Sequence, residues 1–299
     1  MNVFQLVQQA TVHLQAAGVH FGHGTTNAFD EAVWLVLWRL NLPLDGLDAA
    51  AERAVTTDEE ALVDALVDER IRSRRPAAYL TGEAWLQGVP FFVDERAIVP
   101  RSLIAEPLAE GGFDAWLGQQ TLRVLDLCTG NGSLAVLAAL AWPEVVVDGA
   151  EFSAEALQVA EKNVARHGLQ DRITLHLGDG LAAVAGKCYD LVLCNPPYVN
   201  RAAMAVLPAE YRAEPALALD GNMHGGTDGM GFIRPLLAAL PEHLNEAGVL
   251  VLEVGHELAH FEAAFPGLPF VGLATSAGDE QVLLITADDL RALRMNENP

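Results

Sequence analysis

Apolar positions in the first eighty residues recur at helical spacing. Leu6, Val7, Ala10 and Leu14 share one helical face, and Gly18 can close that helix. A second helix is expected from about Asp30 through Trp34, Leu37 and Trp38, with Pro43 beyond its end. Thr57 and Glu60 form a capping box for a third, carrying Leu62, Val63, Leu66 and Val67, and Pro76 starts a short fourth. Between 82 and 100 the pattern changes. Trp85-Leu86 and Phe91-Phe92-Val93 flank Gln87-Gly88, which predicts two strands around a turn. Val99-Pro100-Arg101-Ser102 follows as extended chain, because the residue before a proline avoids the helical region. From about residue 121 short apolar strands alternate with helices. Strands are expected at 124–127, 145–147, 173–177, 189–193, 249–254, 270–274 and 281–285, and helices at 134–142, 154–167 and 232–244. This alternation predicts an α/β fold, a parallel sheet covered by helices on both faces. The chain thus divides into a small helical domain (1–80), a β-hairpin connector (81–100) and an α/β domain (101–299).

Composition narrows the functional classes. With 51% hydrophobic and 19% charged residues in 299, a substantial core can form. The formal net charge of −22 repels nucleic-acid phosphates and attracts a basic partner. Three cysteines, Cys128, Cys188 and Cys194, give neither a disulfide framework nor zinc spacing. The opening residues lack a signal-peptide pattern, and the longest apolar runs are about half the length that spans a bilayer. A cytoplasmic protein without membrane association is expected.

Three motifs compete for the chemistry. In Asp126-Leu127-Cys128-Thr129-Gly130-Asn131-Gly132-Ser133 a strand runs into a glycine-rich turn and then a helix. Glycines let the backbone approach a ligand, and the helix start offers free N–H groups. Glu151 ends the next strand and can accept hydrogen bonds from a ribose diol. The pattern matches a dinucleotide site, an adenosyl ligand without pyrophosphate, or a tight turn alone. Asp126 tilts the choice, since a carboxylate there suits a cationic amine such as the methionine end of S-adenosylmethionine. Asp179 in Gly178-Asp179-Gly180 stands at a strand's carboxyl end, where such sheets bind ligands, though it also reads as a turn residue. The second motif is Asn195-Pro196-Pro197-Tyr198, directly after an apolar strand. Two prolines lock the backbone, so that the Asn195 amide and the exposed carbonyls can grip a planar amide or amine beside the Tyr198 ring. The third, His256-Glu257-Leu258-Ala259-His260, has zinc-hydrolase spacing, but it opens a helix after a sheet strand with no further ligand at a familiar distance. No metal is expected there, and His20 and His23 read as surface or turn histidines.

Together these residues resemble the protein-(glutamine-N5) methyltransferase family, which acts on release factors and ribosomal proteins. The resemblance covers nearly the whole chain. It implies a seven-stranded, class I (Rossmann-like) S-adenosylmethionine-dependent domain behind a helical substrate-recognition domain. Asn-Pro-Pro-Tyr is shared with some adenine-N6 DNA methyltransferases, so the motif alone does not fix the substrate. Gly22-His23-Gly24-Thr25, Val93-Asp94-Glu95-Arg96, Val99-Pro100-Arg101-Ser102, the 207–215 segment with Glu214-Pro215, and Gly226-Thr227-Asp228-Gly229 are similar to the branch that modifies large-subunit ribosomal protein three. The Pro-Arg-Pro-Asp/Glu-Thr-Glu run usual in the release-factor branch is absent. Two departures stand out: Glu151 replaces a more usual Asp, and residues 219–225 look longer than the branch's loop.

The resemblance implies S-adenosyl-L-methionine as cofactor and a basic ribosomal protein as partner, with no nucleic acid bound. It places Asp126, Cys128, Thr129, Gly130 and Gly132 around the methionine part, Glu151 on the ribose, and Asp179 or Gly180 near the adenine. Asn195, which also borders the cofactor, and the Pro196 carbonyl would accept the two hydrogens of the target amide. Pro197 and Tyr198 would pack against the glutamine, and Arg101 would order the cleft.

Overall fold

A computed structural model describes residues 1–118 and 122–297. Helices Val3–Ala16, Ala28–Arg39 and Thr57–Ser73 pack around Leu6, Leu14, Leu35, Val63 and Val67. The second helix starts before Asp30, because the Asn27 side chain caps it by accepting from the Asp30 amide. The capping box is Thr56 with Glu59, one residue ahead of the expected pair; the run Thr56-Thr57-Asp58-Glu59-Glu60 satisfies the pattern in both registers. Leu62 faces outward, at 45% exposure. Pro76 precedes a short helix, Ala77–Thr81.

Strands β1 (Glu83–Leu86) and β2 (Val89–Phe92) form the expected hairpin, with Gln87 and Gly88 both at positive φ in its turn. The main sheet comprises β3 (Arg123–Leu127), β4 (Val146–Glu151), β5 (Ile173–Leu177), β6 (Tyr189–Cys194), β7 (Leu244–Glu253), β8 (Val271–Gly272) and β9 (Val282–Thr286). Their order is β5-β4-β3-β6-β7-β9-β8. The expected all-parallel sheet is corrected at one edge: β9 runs antiparallel to β7 and β8. No helix separates β8 from β9 in sequence, and a parallel neighbour needs a crossover long enough to return the chain. The helix expected over 232–244 is also shorter. It spans Ile233–Ala239 and gives way to a 3-10 turn at Leu240–Glu242, where Pro241 lacks the N–H a helix would need.

Helices cover both sheet faces. Leu134, Val136 and Val164 pack on one side with Phe91 of the hairpin and Phe113. Ile233, Leu236, Phe261 and Leu290 pack on the other. Among the described residues no helix is long and apolar enough to cross a membrane.

Asn163 fastens the hairpin to the sheet domain. It is fully buried on the helix Ala154–Arg166. Its Oδ1 accepts from the Phe92 amide at 2.7 Å, and its Nδ2 donates to the Phe92 and Asn131 carbonyls at 2.9 and 2.8 Å. Asn163→Ala leaves three backbone groups without this partner, at about 1–3 kcal/mol for each that stays dry. We expect a loss of about 3 kcal/mol in urea unfolding at unchanged secondary structure; a loss under about 1 kcal/mol would mean that water replaces the amide fully.

Candidate active site

The carboxyl ends of β3, β4 and β6 meet where the strand order reverses, the place at which open α/β sheets bind ligands. A cavity of about 410 Å³ opens there. Its wall includes Cys128, Gly130, Glu151, Asp179, Gly180 and Asn195, with Pro197 beside them. Six other sequence-selected residues, Arg101, Asp126, Thr129, Gly132, Pro196 and Tyr198, are not part of this wall.

The loop after β3 is built for close approach. Cys128, Gly130 and Gly132 all adopt positive φ. A Cβ on Gly132 would lie 3.1 Å from that of Ala160, so this turn packs directly on the neighbouring helix. Asp126 is 1% exposed; its Oδ2 accepts from the Thr129 hydroxyl at 2.5 Å and the Ala135 amide at 2.9 Å, while its Oδ1 has no hydrogen-bond partner among the described residues. Burial pushes its carboxyl up to about 7 against these two hydrogen bonds. Glu151 does face the cavity. Its Oε2 accepts from the Gly130 amide and its Oε1 from the Ser153 amide, both at 2.9 Å. Contact with the Cys194 thiol, together with burial, holds the Cys128 thiol protonated.

Asn195 borders the cavity immediately after β6. Neither its side-chain amide nor the Pro196 carbonyl has a hydrogen-bond partner among the described residues. Tyr198 differs: its hydroxyl donates to Glu253 Oε1 at 3.0 Å. Glu253, 4% exposed at the end of β7, also accepts on Oε2 from the Ser102 hydroxyl (2.6 Å) and the Leu103 amide (3.0 Å). Burial raises the Glu253 carboxyl despite these donors.

Arg101 makes a two-pronged ion pair with Glu214, at 2.5 and 2.7 Å. Glu214 also accepts from the Val99 amide, and His23 Nε2 lies 3.2 Å from its Oε2. Burial drives the Glu214 carboxyl up, but Arg101 and His23 outweigh it and hold it at about 2. His23 is therefore not the surface or turn histidine expected. At 1% exposure it is wedged between Glu214 and the Tyr211 ring, whose centroid is 4.3 Å away, and burial lowers its own pKa. His256-Glu257-Leu258-Ala259-His260 spans a 3-10 turn and a helix. Its Glu257 accepts from the Asn200 side chain at 2.7 Å and contacts His260 Nδ1 at 2.5 Å. The unusual 219–225 segment places Met223 and His224 on the cavity wall.

A glycine-lined turn, a strand-end carboxylate and a proline-locked amide around one cavity fit an adenosyl ligand. Fold and site define a class I S-adenosylmethionine-dependent methyltransferase. A family model described as "Methyltransferase small domain" matches residues 114–223. The chain is 53% identical over 287 residues to the ribosomal protein uL3 glutamine methyltransferase of Bordetella pertussis, covering 95% of each chain. It is 47% identical over 301 residues to that of Burkholderia pseudomallei, covering 98% of this chain and 96% of that one. A solved structure titled hMettl16 catalytic domain in complex with a 3'UTR hairpin is similar in fold, with a TM-score of 0.50 at 15% identity, over 81% of this chain and 84% of that one. The chain belongs to the ribosomal protein uL3 glutamine methyltransferase family, and is an S-adenosylmethionine-dependent protein glutamine methyltransferase.

The ion pair at Glu214 gives a test with a defined pH dependence. Arg101→Leu leaves a buried carboxylate uncompensated, at a cost of about 3–5 kcal/mol. Glu214 binds its proton more weakly folded than unfolded, so it stabilises the wild type above its unfolded pKa near 4.5 and loses that contribution as pH falls toward 2. The stability gap between wild type and variant should be widest near pH 7 and narrow below pH 4.5. Urea unfolding at pH 7 and pH 3.5 measures it, and an equal gap at both would refute the assignment.

Proposed function

We propose that the chain methylates the side-chain amide nitrogen of a glutamine in ribosomal protein uL3. Support comes from the names of relatives that match over nearly the full length. The observation that carries the chemistry is the pair of free acceptors, the Asn195 amide oxygen on the cavity wall and the Pro196 carbonyl next to it in sequence.

S-adenosylmethionine supplies an electrophilic methyl on a sulfonium. The residues that would hold it are the 128–132 loop at the methionine part, Glu151 at the ribose, and Asp179 with Gly180 at the adenine. Asp126 braces that loop through Oδ2, and its unpartnered Oδ1 would meet the amine of the methionine part. An amide nitrogen is a poor nucleophile, because its lone pair is delocalised into the carbonyl. Asn195 Oδ1 and the Pro196 carbonyl accept its two hydrogens, aim the nitrogen, and stabilise the positive charge that develops there. The N-methylated amide is then strongly acidic and releases its proton to water, so no side chain has to act as a base. Pro197 shapes the wall, Tyr198 packs at the motif's end, and Arg101 orders the cleft through Glu214.

Residues 1–80 form the substrate-recognition domain in this reading, 81–100 the connector and 101–299 the catalytic domain. Free thiols at Cys128, Cys188 and Cys194 suit the reducing cytoplasm, where ribosomal proteins are made. The net charge of −22 steers a basic substrate toward the enzyme.

Two experiments test this reading. Labelled S-adenosylmethionine is offered with purified uL3 and, separately, with a release factor. Label on uL3, with an apparent affinity that weakens as salt rises, is the expected outcome; label on the release factor alone would overturn the substrate. Asn195→Ala should lower kcat by about 10²-fold or more and change the cofactor's Kd by less than about threefold. Equal losses in both would remove Asn195 from the chemistry.

A further inference from the structure

We infer that Glu253 is a positioning residue for methyl transfer, setting the geometry of Asn195 and Pro196 by holding the hydroxyl of Tyr198. The inference rests on the reading of Asn195-Pro196-Pro197-Tyr198 as the grip on the target amide.

The argument begins with what fixes each end of that short span. Its first end is Cys194, the last residue of β6, which pairs in register with Leu127 of β3 and Leu252 of β7. The next residue of β7 is Glu253, whose carboxylate holds the other end at Tyr198. One strand therefore anchors both ends of the motif, through its backbone at Leu252 and its side chain at Glu253. Between the anchors, Pro196 and Pro197 each have a fixed φ, leaving few torsions to adjust. The two acceptor atoms, with no partners of their own, take their positions from the anchors.

The surroundings of Tyr198 are as demanding as its hydroxyl contact. A Cβ on Gly255, at φ +53°, would stand 2.6 Å from Tyr198 Cε2. One on Gly229, at φ +78°, would stand 2.0 Å from the Tyr198 carbonyl oxygen. The ring is thus pressed on the turn that follows Glu253, and the backbone on the Gly226-Thr227-Asp228-Gly229 loop. Glu253 is itself fixed, since Ser102 and the Leu103 amide occupy its second oxygen. It lies off the cavity wall, so it acts through Tyr198.

The test uses the full chain, labelled S-adenosylmethionine, and whichever of uL3 or a release factor the wild type methylates. Glu253→Gln keeps the size of the side chain but sets an NH₂ against one of its three donors. Tyr198→Phe removes one hydroxyl, and keeps the test informative should the first variant fail to fold. Each single variant should lose about 10²-fold in kcat, as misplacement by about 1 Å can cost that much, while the Kd for S-adenosylmethionine and the KM for the acceptor stay within about threefold. The double variant should be no slower than the slower single, because both changes cut the same link. Undiminished kcat in Tyr198→Phe, multiplied losses in the double variant, or parallel loss of cofactor affinity would overturn the inference. A wild type that methylates neither acceptor would instead bring down the glutamine reading, and the positioning role with it.

Discussion

The ion pair between Arg101 and Glu214 joins three stretches of chain that are far apart in sequence. Arg101 belongs to the segment leaving the connector, Glu214 to the insert after the Asn-Pro-Pro-Tyr motif, and His23 of the helical part closes on the same carboxylate. A second link runs beside it. The fully buried Arg70 donates to Glu31 and to the His20 carbonyl, and Arg74 reaches Glu210 of the insert. Removing such charges from water is costly, so these pairs are poor devices for raw stability. They do specify orientation, because a guanidinium fork meets a carboxylate in few geometries. The helical part is thereby held against the insert that borders the cavity, and the two share one frame.

Arg101 and Ser102 extend that frame to the Asn-Pro-Pro-Tyr loop. The two neighbouring residues bind two different buried carboxylates, Glu214 and Glu253. The first ties the linker to the insert, the second to the end of β7 and so to Tyr198. Glu257, four residues on, accepts from Asn200 and caps this arrangement on the far side of the motif. The glutamate of the His256-Glu257-Leu258-Ala259-His260 pattern thus braces the loop.

Much of the fold was legible because periodicity and punctuation agreed. Ile173–Leu177 matches its expected strand residue for residue, and the β1–β2 hairpin falls around Gln87-Gly88. The antiparallel β9 was not legible, since an apolar strand carries no mark of its direction. The cavity-facing residues Gly130, Glu151, Asp179 and Asn195 could be picked out by their places at strand ends. The loop contacts of Asp126 were not legible, because a carboxylate beside a glycine turn looks the same in sequence whether or not it also braces its own loop. His23 and Glu214 lay further out of reach, because their significance is a contact across 191 residues of chain. Glu253 had the same signal as Glu151, an acid ending an apolar strand, and that signal was usable.

The acidic exterior follows from how the arginines are used. Arg172 gives its guanidinium to the Ala139, Trp142 and Val145 carbonyls, neutralising the end of the helix Ser133–Ala141 and the turn after it. Arg70 and Arg101 are engaged with buried glutamates, and Arg96 with Asp94. Positive charge is thus drawn into structural contacts, while many acids, such as Asp58, Asp68 and Glu52, face outward. Local pairs neutralise little of the far field, and the surplus of acids projects a negative potential over the surface. Such a field draws in basic protein and turns away bare nucleic acid. The distribution of charge outside the Asn-Pro-Pro-Tyr motif thus sets which class of macromolecule is drawn toward it.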